Sequence, residues 1–233
     1  MMDNNEYFNF EEKEDFPFYK NLSFSSSNIV LALSVVLFIL LVFAPVHFQG
    51  YQQQIIFCLA ALIPFLVATN GNWGLLFKKP KIGDIKTVLI ALVGMFVTIL
   101  IIAIISMLLN MPSMIDSSNS YTITLNSIFL VTQFIQIIGE EIFKILGFIF
   151  ILAISYRLTK HNRKRSVIIA TFFTLLLFGL MHVNSYKSIL YCIFCMGFGS
   201  IMELYPYLKT KNILLSIIVH FLYNLIVMLI IYV

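Results

Sequence analysis

Two adjacent glutamates, Glu140 and Glu141, are the side chains of this chain most suited to chemistry. They lie inside an apolar run from Ser127 to Tyr156, and a run of about 20 apolar residues is enough for a helix to cross a bilayer. An ionised carboxylate at bilayer depth costs ~2.5 kcal/mol or more, even on the mildest scale. We therefore interpret the pair as part of a functional site rather than as packing.

Helical spacing predicts that the glutamates share one face of their helix with other polar groups. The positions i, i+3, i+7, i+11 and i+14 of this face are Gln133, Gln136, Glu140, Lys144 and Gly147. Lys144 follows Glu140 by one turn, the favourable order for an i,i+4 ion pair. A polar seam between helices is the alternative, at about 0.6 kcal/mol per hydrogen bond. Such a seam explains the glutamines better than it explains two neighbouring glutamates.

Two later apolar runs carry further polar groups at helical spacing. His182 shares a face with Thr171, Thr174 and Phe178, whereas His220 and Asn224 are one turn apart, with Ser216 and Tyr223 alongside. A single histidine near a helix end is often only an interfacial residue. Three separate helices that each present a glutamate, a histidine or a His–Asn pair are stronger evidence for one shared site.

Hydrolysis of an amide bond is the reaction that this set of side chains favours. A glutamate shielded from bulk water can activate a water molecule as general base, and a second carboxylate or a histidine can return the proton to the leaving amine. Neutral His and Asn side chains can stabilise an oxyanion. Alternatively, Glu140, His182 and His220 could hold a zinc ion with an open position. The G-x-S-x-G and H-E-x-x-H motifs are absent from the sequence.

Composition predicts an all-α, polytopic transmembrane helical bundle. Of the 233 residues, 60% are hydrophobic and 11% are charged, against about 25% charged in soluble domains. Residues 28–233 form the transmembrane domain, and residues 1–27 form an acidic, aromatic N-terminal tail without the features of a signal peptide. About seven spans are predicted, at roughly 28–48, 54–71, 86–110, 127–156, 166–183, 188–207 and 212–233. Cys192 and Cys195 form a lone C-x-x-C inside a span, which favours packing over metal or redox use.

The basic residues predict the orientation. They concentrate in the loops after the second, fourth and sixth spans, which places the N-terminus in the cytoplasm of a multi-pass cell-membrane protein. Because the basic residues are confined to these short loops, they do not indicate a nucleic-acid partner. The expected partners are the lipid bilayer and a peptide or protein substrate. Glu140 precedes Arg157 by 17 residues and His182 follows Arg165 by 17, so both are expected about 25 Å from the cytoplasmic face.

At these residues the chain resembles the CPBP (Abi) family of intramembrane proteases, which includes the type II CAAX prenyl endopeptidases and bacteriocin-processing proteins. The family motifs E-E-x-x-x-R, F-x-x-x-H and H-x-x-x-N have counterparts at Glu140–Glu141, Phe178–His182 and His220–Asn224, over about residues 127–226. The resemblance implies that Glu140 activates the water with support from Glu141. It also implies that His182 and His220 bind the water, a metal or the substrate carbonyl, and that Asn224 stabilises the oxyanion. Both metal-dependent and glutamate-dependent mechanisms have been described for the family.

One family position differs, since the motif arginine is replaced by Ile145 and the nearest cation is Lys144. The interpretation we favour is an intramembrane endopeptidase in a bacterial plasma membrane. Its substrate would be a small peptide or a membrane-proximal protein segment, and bacteriocin immunity is a plausible setting. A non-catalytic family member that binds a membrane partner is the alternative. A proton-coupled carrier using Glu140, Glu141 and Glu203 is a third reading, against which the sequence lacks inverted repeats.

Overall fold

The computed structural model describes residues 51–68, 73–110, 127–160, 162–183, 186 and 188–232. Within these residues the chain forms six helices. They are α1 (Tyr51–Ala68), α2 (Asp84–Leu108), α3 (Ser127–Leu158), α4 (Arg163–Leu180), α5 (Ile189–Thr210) and α6 (Ile213–Tyr232). A short 3₁₀ turn, Trp73–Leu75, lies between α1 and α2. The predicted all-α class is confirmed for this part of the chain.

Each helix begins and ends within three residues of a predicted span. By length and composition, α2, α5 and α6 are membrane-spanning candidates among the described residues. The predicted count of about seven spans is not confirmed. The first predicted span, 28–48, and the tail, 1–27, lie outside the described residues. Large apolar side chains on α2, such as Leu89, Val93 and Leu100, are more than half exposed, as expected for a helix in contact with lipid.

The breaks between helices follow local chemistry. Asn162 caps α4, because its side-chain oxygen accepts a hydrogen bond from the backbone N–H of Arg165. Lys211 ends α5 in the left-handed conformation, with φ of 56°. The chain then passes through Asn212 directly into α6. Short connections of this kind make α3 and α4, and α5 and α6, antiparallel neighbours.

Helix α3 lies at the centre of the packing. It contacts α1, α4 and α6, while α5 packs against α2, α4 and α6. The main buried cluster draws apolar side chains from four helices, including Ile142 of α3, Leu175 of α4, Leu204 of α5 and Ile217 of α6. The polar face of α3 is therefore enclosed by the helices that carry the two histidines.

Two glycines allow α4 and α5 to approach each other closely. A Cβ atom on Gly179 would lie 2.5 Å from the backbone oxygen of Cys192, and one on Gly197 would lie 2.5 Å from that of Leu175. Within α5, residues Cys192–Gly197 form a π-helix, and such wide turns occur frequently at functional sites. Cys192 and Cys195 are both free thiols within it. This contact sets the depth of the C-terminal end of α4, which precedes His182.

The basic loop before α2 is tied to the start of α6. Asn212 accepts a hydrogen bond from the backbone N–H of Lys78 at 3.1 Å and donates one to its carbonyl at 2.9 Å. The backbone N–H of Ile213 also donates to the carbonyl of Leu76 at 2.9 Å. Two loops that the charge pattern assigns to one membrane face are thus neighbours.

Candidate active site

Glu140 lies in the middle of α3, with only 6% of its surface exposed. One carboxylate oxygen, Oε1, accepts a hydrogen bond of 2.6 Å from Nε2 of Gln136, one turn earlier on the same face. The other oxygen, Oε2, lies 3.8 Å from Nε2 of His220. The amide therefore fixes the carboxylate while leaving Oε2 directed toward the histidine of α6.

Glu141, Lys144 and Glu203 form a buried ionic cluster beside Glu140. The ammonium of Lys144 contacts Oε1 of Glu141 at 2.6 Å and also contacts Oε2 of Glu203 on α5. Glu141 and Lys144 are completely buried. The predicted i,i+4 pair between Glu140 and Lys144 is replaced by an i,i+3 pair between Glu141 and Lys144. In this position the ammonium can also contact the carboxylate of Glu203 on α5.

His220 of α6 joins the two adjacent glutamates. Its Nδ1 lies 2.8 Å from Oε1 of Glu141 and 3.6 Å from Oε2 of Glu203. An ionised carboxylate only accepts hydrogen bonds, so Nδ1 is assigned as the donor. This leaves Nε2 facing Glu140. The imidazole is 6% exposed, and its position is set by the helix that carries it and by the carboxylate of Glu141.

His182 follows the C-terminal end of α4 and is half-buried. Its Nδ1 lies 2.9 Å from the backbone oxygen of Phe178. A carbonyl oxygen only accepts, so Nδ1 carries the hydrogen and Nε2 retains its lone pair. The ring packs edge-on against Phe178, with centroids 5.0 Å apart.

Phe178 links the histidine to the ionic cluster. The ammonium of Lys144 lies 3.9 Å from the centre of the Phe178 ring, a cation–π contact. The aromatic residue of the F-x-x-x-H motif therefore separates Lys144 from His182 and packs against both. Its contact with Lys144 was not evident from the sequence, where Phe178 was a member of a helical face and of the F-x-x-x-H motif.

Asn224 lies one turn after His220 on α6 and is half-buried. Its side-chain amide makes no hydrogen bond to the residues that the structure describes. Two further hydroxyls on the polar faces, Thr174 Oγ1 and Ser216 Oγ, are buried and lack a partner within the same residues. The oxygen Oε2 of Glu141 is unpaired in the same way.

Glu203 is the site residue that sequence reasoning missed as part of the hydrolytic site. It appeared only in the carrier interpretation, although it is 3% exposed and contacts Lys144 across 59 residues of sequence. The signal was present, because an acidic residue inside an apolar span requires a partner. Lys144 is the only cation inside the predicted fourth span, and matching the two charges would have found the pair.

The arrangement tests two candidate sets of zinc ligands. Within the described residues, Glu141, Glu203 and His220 have ligand atoms that all lie within 4.8 Å of one another. The Lys144 ammonium already contacts both of these carboxylates and would repel a divalent cation, so this set does not fit zinc. The predicted set of Glu140, His182 and His220 is not brought that close together among the described residues. Zinc at those ligands stays a prediction.

Comparison with known families identifies the class of protein. The model of the type II CAAX prenyl endopeptidase Rce1-like family matches residues 122–226, just under half of the chain. This segment contains the whole of the three motifs, and the resemblance predicted from them is confirmed. Comparison with curated proteins and with solved structures gives no match.

The match establishes a coarse functional class for this segment. The family is one of endopeptidases, and the chain has helices long and apolar enough to cross a membrane. At this coarse level, the match supports a peptidase at the membrane. The roles of the individual residues are argued below.

Proposed function

We propose that the protein is an intramembrane endopeptidase in which Glu140 activates the attacking water. The observation that carries this proposal is the separation of 3.8 Å between Oε2 of Glu140 and Nε2 of His220. This distance is too long for a direct hydrogen bond, and a water beside the two atoms can contact both of them. Glu140 accepts a proton from that water as its oxygen attacks the scissile carbonyl carbon.

His220 and Glu141 act together in this proposal. Glu141 accepts the hydrogen bond from Nδ1 of His220 at 2.8 Å, which fixes the orientation of the imidazole and leaves Nε2 beside the water. A hydrogen-bonded carboxylate that orients a histidine is a common device in catalytic sites. Glu141 is therefore a positioning residue, and it supports Glu140 only through His220.

The oxyanion of the tetrahedral intermediate requires hydrogen-bond donors. Asn224, one turn from His220, has an amide without a partner among the described residues, and we assign it this role. Such donors act most strongly where water is excluded. His182, with its lone pair at Nε2, contributes by binding the water or the substrate near Glu140. The proton on Glu140 then passes to the amine as the C–N bond breaks.

Lys144 takes the part of the missing motif arginine. The motif arginine would lie at position 145, four residues after Glu141 and one residue after Lys144. This position holds Ile145, which is completely buried among apolar side chains. The Lys144 ammonium contacts Glu141 instead and is held from the other side by Glu203. A lysine lacks the bidentate fork of arginine, and the second carboxylate compensates by fixing its single ammonium group.

The reaction proposed here uses no metal. The site carries three carboxylates, those of Glu141 and Glu203 in the ionic cluster and that of Glu140 beside it, against one ammonium. His220 lies within 4 Å of all three. An excess of carboxylate suits a site that takes up a proton during each turnover. The same charge in a metalloprotease would be balanced by the metal, but Lys144 occupies the position between Glu141 and Glu203.

The substrate class follows from the depth of the site. Glu140 lies in the centre of a 32-residue helix, so the scissile bond must enter the membrane domain. Small peptides and membrane-proximal protein segments are the substrates that meet this requirement. We place the enzyme in a bacterial plasma membrane, with its N-terminus in the cytoplasm, and processing of a bacteriocin or a signalling peptide is the proposed setting.

Reconstitution in lipid vesicles tests this function. The full chain would be supplied with a mixture of random nine-residue peptides, and cleavage products would be read by mass spectrometry. Wild type is expected to cleave peptides, Glu140→Gln is expected to bind them without cleavage, and Asp84→Asn serves as an acid-to-amide control outside the site. Peptides that bind to wild type and remain intact would instead support the non-catalytic, partner-binding alternative.

A further inference from the structure

Exposed lysines from two distant parts of the chain lie at one end of the helical domain. Lys79 and Lys81 belong to the loop before α2, whereas Lys209 lies in the last turn of α5. Two hydrogen bonds between Asn212 and the backbone of Lys78 hold this loop against the turn between α5 and α6. Segments that are 134 residues apart in the sequence therefore meet at this face.

Little acidic charge opposes these lysines. Residues 73–86 contain four lysines and a single acidic residue, Asp84. Its Oδ2 accepts a hydrogen bond of 2.7 Å from the backbone N–H of Lys81, so this carboxylate holds the loop itself. We use the name lysine patch for the four exposed lysines of this face, Lys79, Lys81, Lys86 and Lys209. None of the four forms an ion pair with another described residue, which leaves their charge open to an anionic partner.

Large apolar side chains flank the lysine patch. Trp73 is 47% exposed and Ile82 is 89% exposed. The carbonyl of Trp73 accepts a hydrogen bond of 2.8 Å from the backbone N–H of Phe77, so the indole is held beside the lysines of the loop. Tryptophan is enriched at the boundary between lipid and water. The loop therefore combines ammonium groups with apolar side chains suited to the outer part of a bilayer.

We propose that the lysine patch binds anionic phospholipids, such as phosphatidylglycerol, in the adjacent membrane leaflet. Clusters of lysines at the end of membrane helices attract anionic headgroups. A neutral lipid would leave the ammonium groups without a counter-charge, and a soluble anion would leave Ile82 and Trp73 in water. An anionic phospholipid satisfies both, because its phosphate pairs with the lysines while its acyl chains cover the apolar side chains. The inference does not depend on the proposed protease activity.

The fluorescence of Trp73 gives a direct measurement, because it is the single tryptophan of the chain. The full chain would be reconstituted in vesicles of phosphatidylcholine and phosphatidylglycerol, with bromine on the acyl chains of one lipid or the other. Bromine quenches an indole that it contacts. At low ionic strength, phosphatidylglycerol is expected to be preferred beside Trp73 by about fivefold or more, the scale of one lysine near an anionic surface. The preference should fall in about 1 M salt, where screening acts within about 3 Å.

Charge-neutralising variants locate the binding surface. The double variant Lys79→Gln, Lys81→Gln removes the lysines of the loop and is expected to lower the preference by about fivefold or more. Lys209→Gln tests the segment from α5 independently, and a decrease is expected there as well. The matched control is Lys160→Gln, Lys164→Gln, which removes two exposed lysines at the connection between α3 and α4. Its preference for phosphatidylglycerol is expected to equal that of wild type.

The outcomes distinguish a local binding surface from a general attraction to basic loops. Equal quenching by the two brominated lipids in wild type would overturn the proposal, as would an unchanged preference in both the loop variant and Lys209→Gln. A decrease in the control as large as that in the loop variant would also overturn it, and would assign the effect to the total charge of this face. Inorganic phosphate, added at constant ionic strength, should leave the quenching unchanged. Loss of the preference with phosphate would overturn the lipid as ligand and indicate a site for a soluble anion.

Discussion

Replacing Lys144 by methionine tests the buried ionic cluster on which the site depends. Lys144 is completely buried between Glu141 and Glu203, so Lys144→Met leaves two carboxylates buried without their cation. Removing one partner of a buried ion pair costs about 3–5 kcal/mol. We expect a loss of that size in the free energy of unfolding, because no other lysine or arginine ion-pairs with either carboxylate within the described residues.

The double variant Lys144→Met, Glu203→Gln separates charge from shape. Once Glu203 is neutral, the remaining carboxylate of Glu141 still has His220, and part of the lost stability should return. Coupling between residues in contact is about 0.5–3 kcal/mol, and a positive value in this range is expected. Lys79→Met, the same change at an exposed loop position, should lie within about 0.5 kcal/mol of wild type.

Equilibrium unfolding of the full chain in mixed micelles, followed by circular dichroism and by proteolysis of the unfolded form, measures these differences. Lys144→Met with the stability of the Lys79→Met control would refute the cluster. An additive double variant would refute the direct contact between Lys144 and Glu203, even if each single change were destabilising.

Three further predictions concern the catalytic groups, the metal and the topology. Asn224→Ala should lower kcat by about 10²–10³-fold as an oxyanion donor, and His182→Ala and His220→Ala should lower it by about 10²-fold or more; unchanged turnover numbers would remove these residues from the mechanism. Exhaustive treatment with a zinc chelator should leave peptide cleavage unchanged, and activity that is lost with chelator and restored by added zinc would contradict the metal-free reaction. Asn110 and Lys160 are exposed and follow the ends of α2 and α3. A single cysteine at position 110 should react with impermeant reagent added outside, and one at position 160 with reagent added on the cytoplasmic side. The opposite pattern would invert the proposed orientation.

The helices and their functional faces were predictable, because both depend on local spacing. Apolar runs long enough to cross a bilayer gave the six helices within three residues. The periodicity of the helix gave the alignment of Gln136 with Glu140, which the structure bears out with a hydrogen bond of 2.6 Å. The polar faces of α3 and α6 are unfavourable in contact with lipid. The two helices were therefore expected to turn these faces toward each other.

The contacts between distant helices were not predictable in the same way. By spacing, Lys144 could pair with Glu140 at i,i+4 or with Glu141 at i,i+3. In the structure it contacts Glu141 and also Glu203, 59 residues away. The level of α5 that brings Glu203 to this depth depends on the close approach of Gly179 and Gly197. Periodicity along one helix carries no information on such registers between helices.

The central claim is that Glu140 supplies the base while Glu141 only positions His220. Single-turnover cleavage of the best peptide from the vesicle assay, measured together with the dissociation constant of that peptide, tests this division most directly. Glu140→Gln retains the shape and the partner Gln136, so the account predicts a loss of about 10²-fold or more in the cleavage rate with an unchanged dissociation constant. Cleavage by Glu140→Gln at the wild-type rate would contradict it.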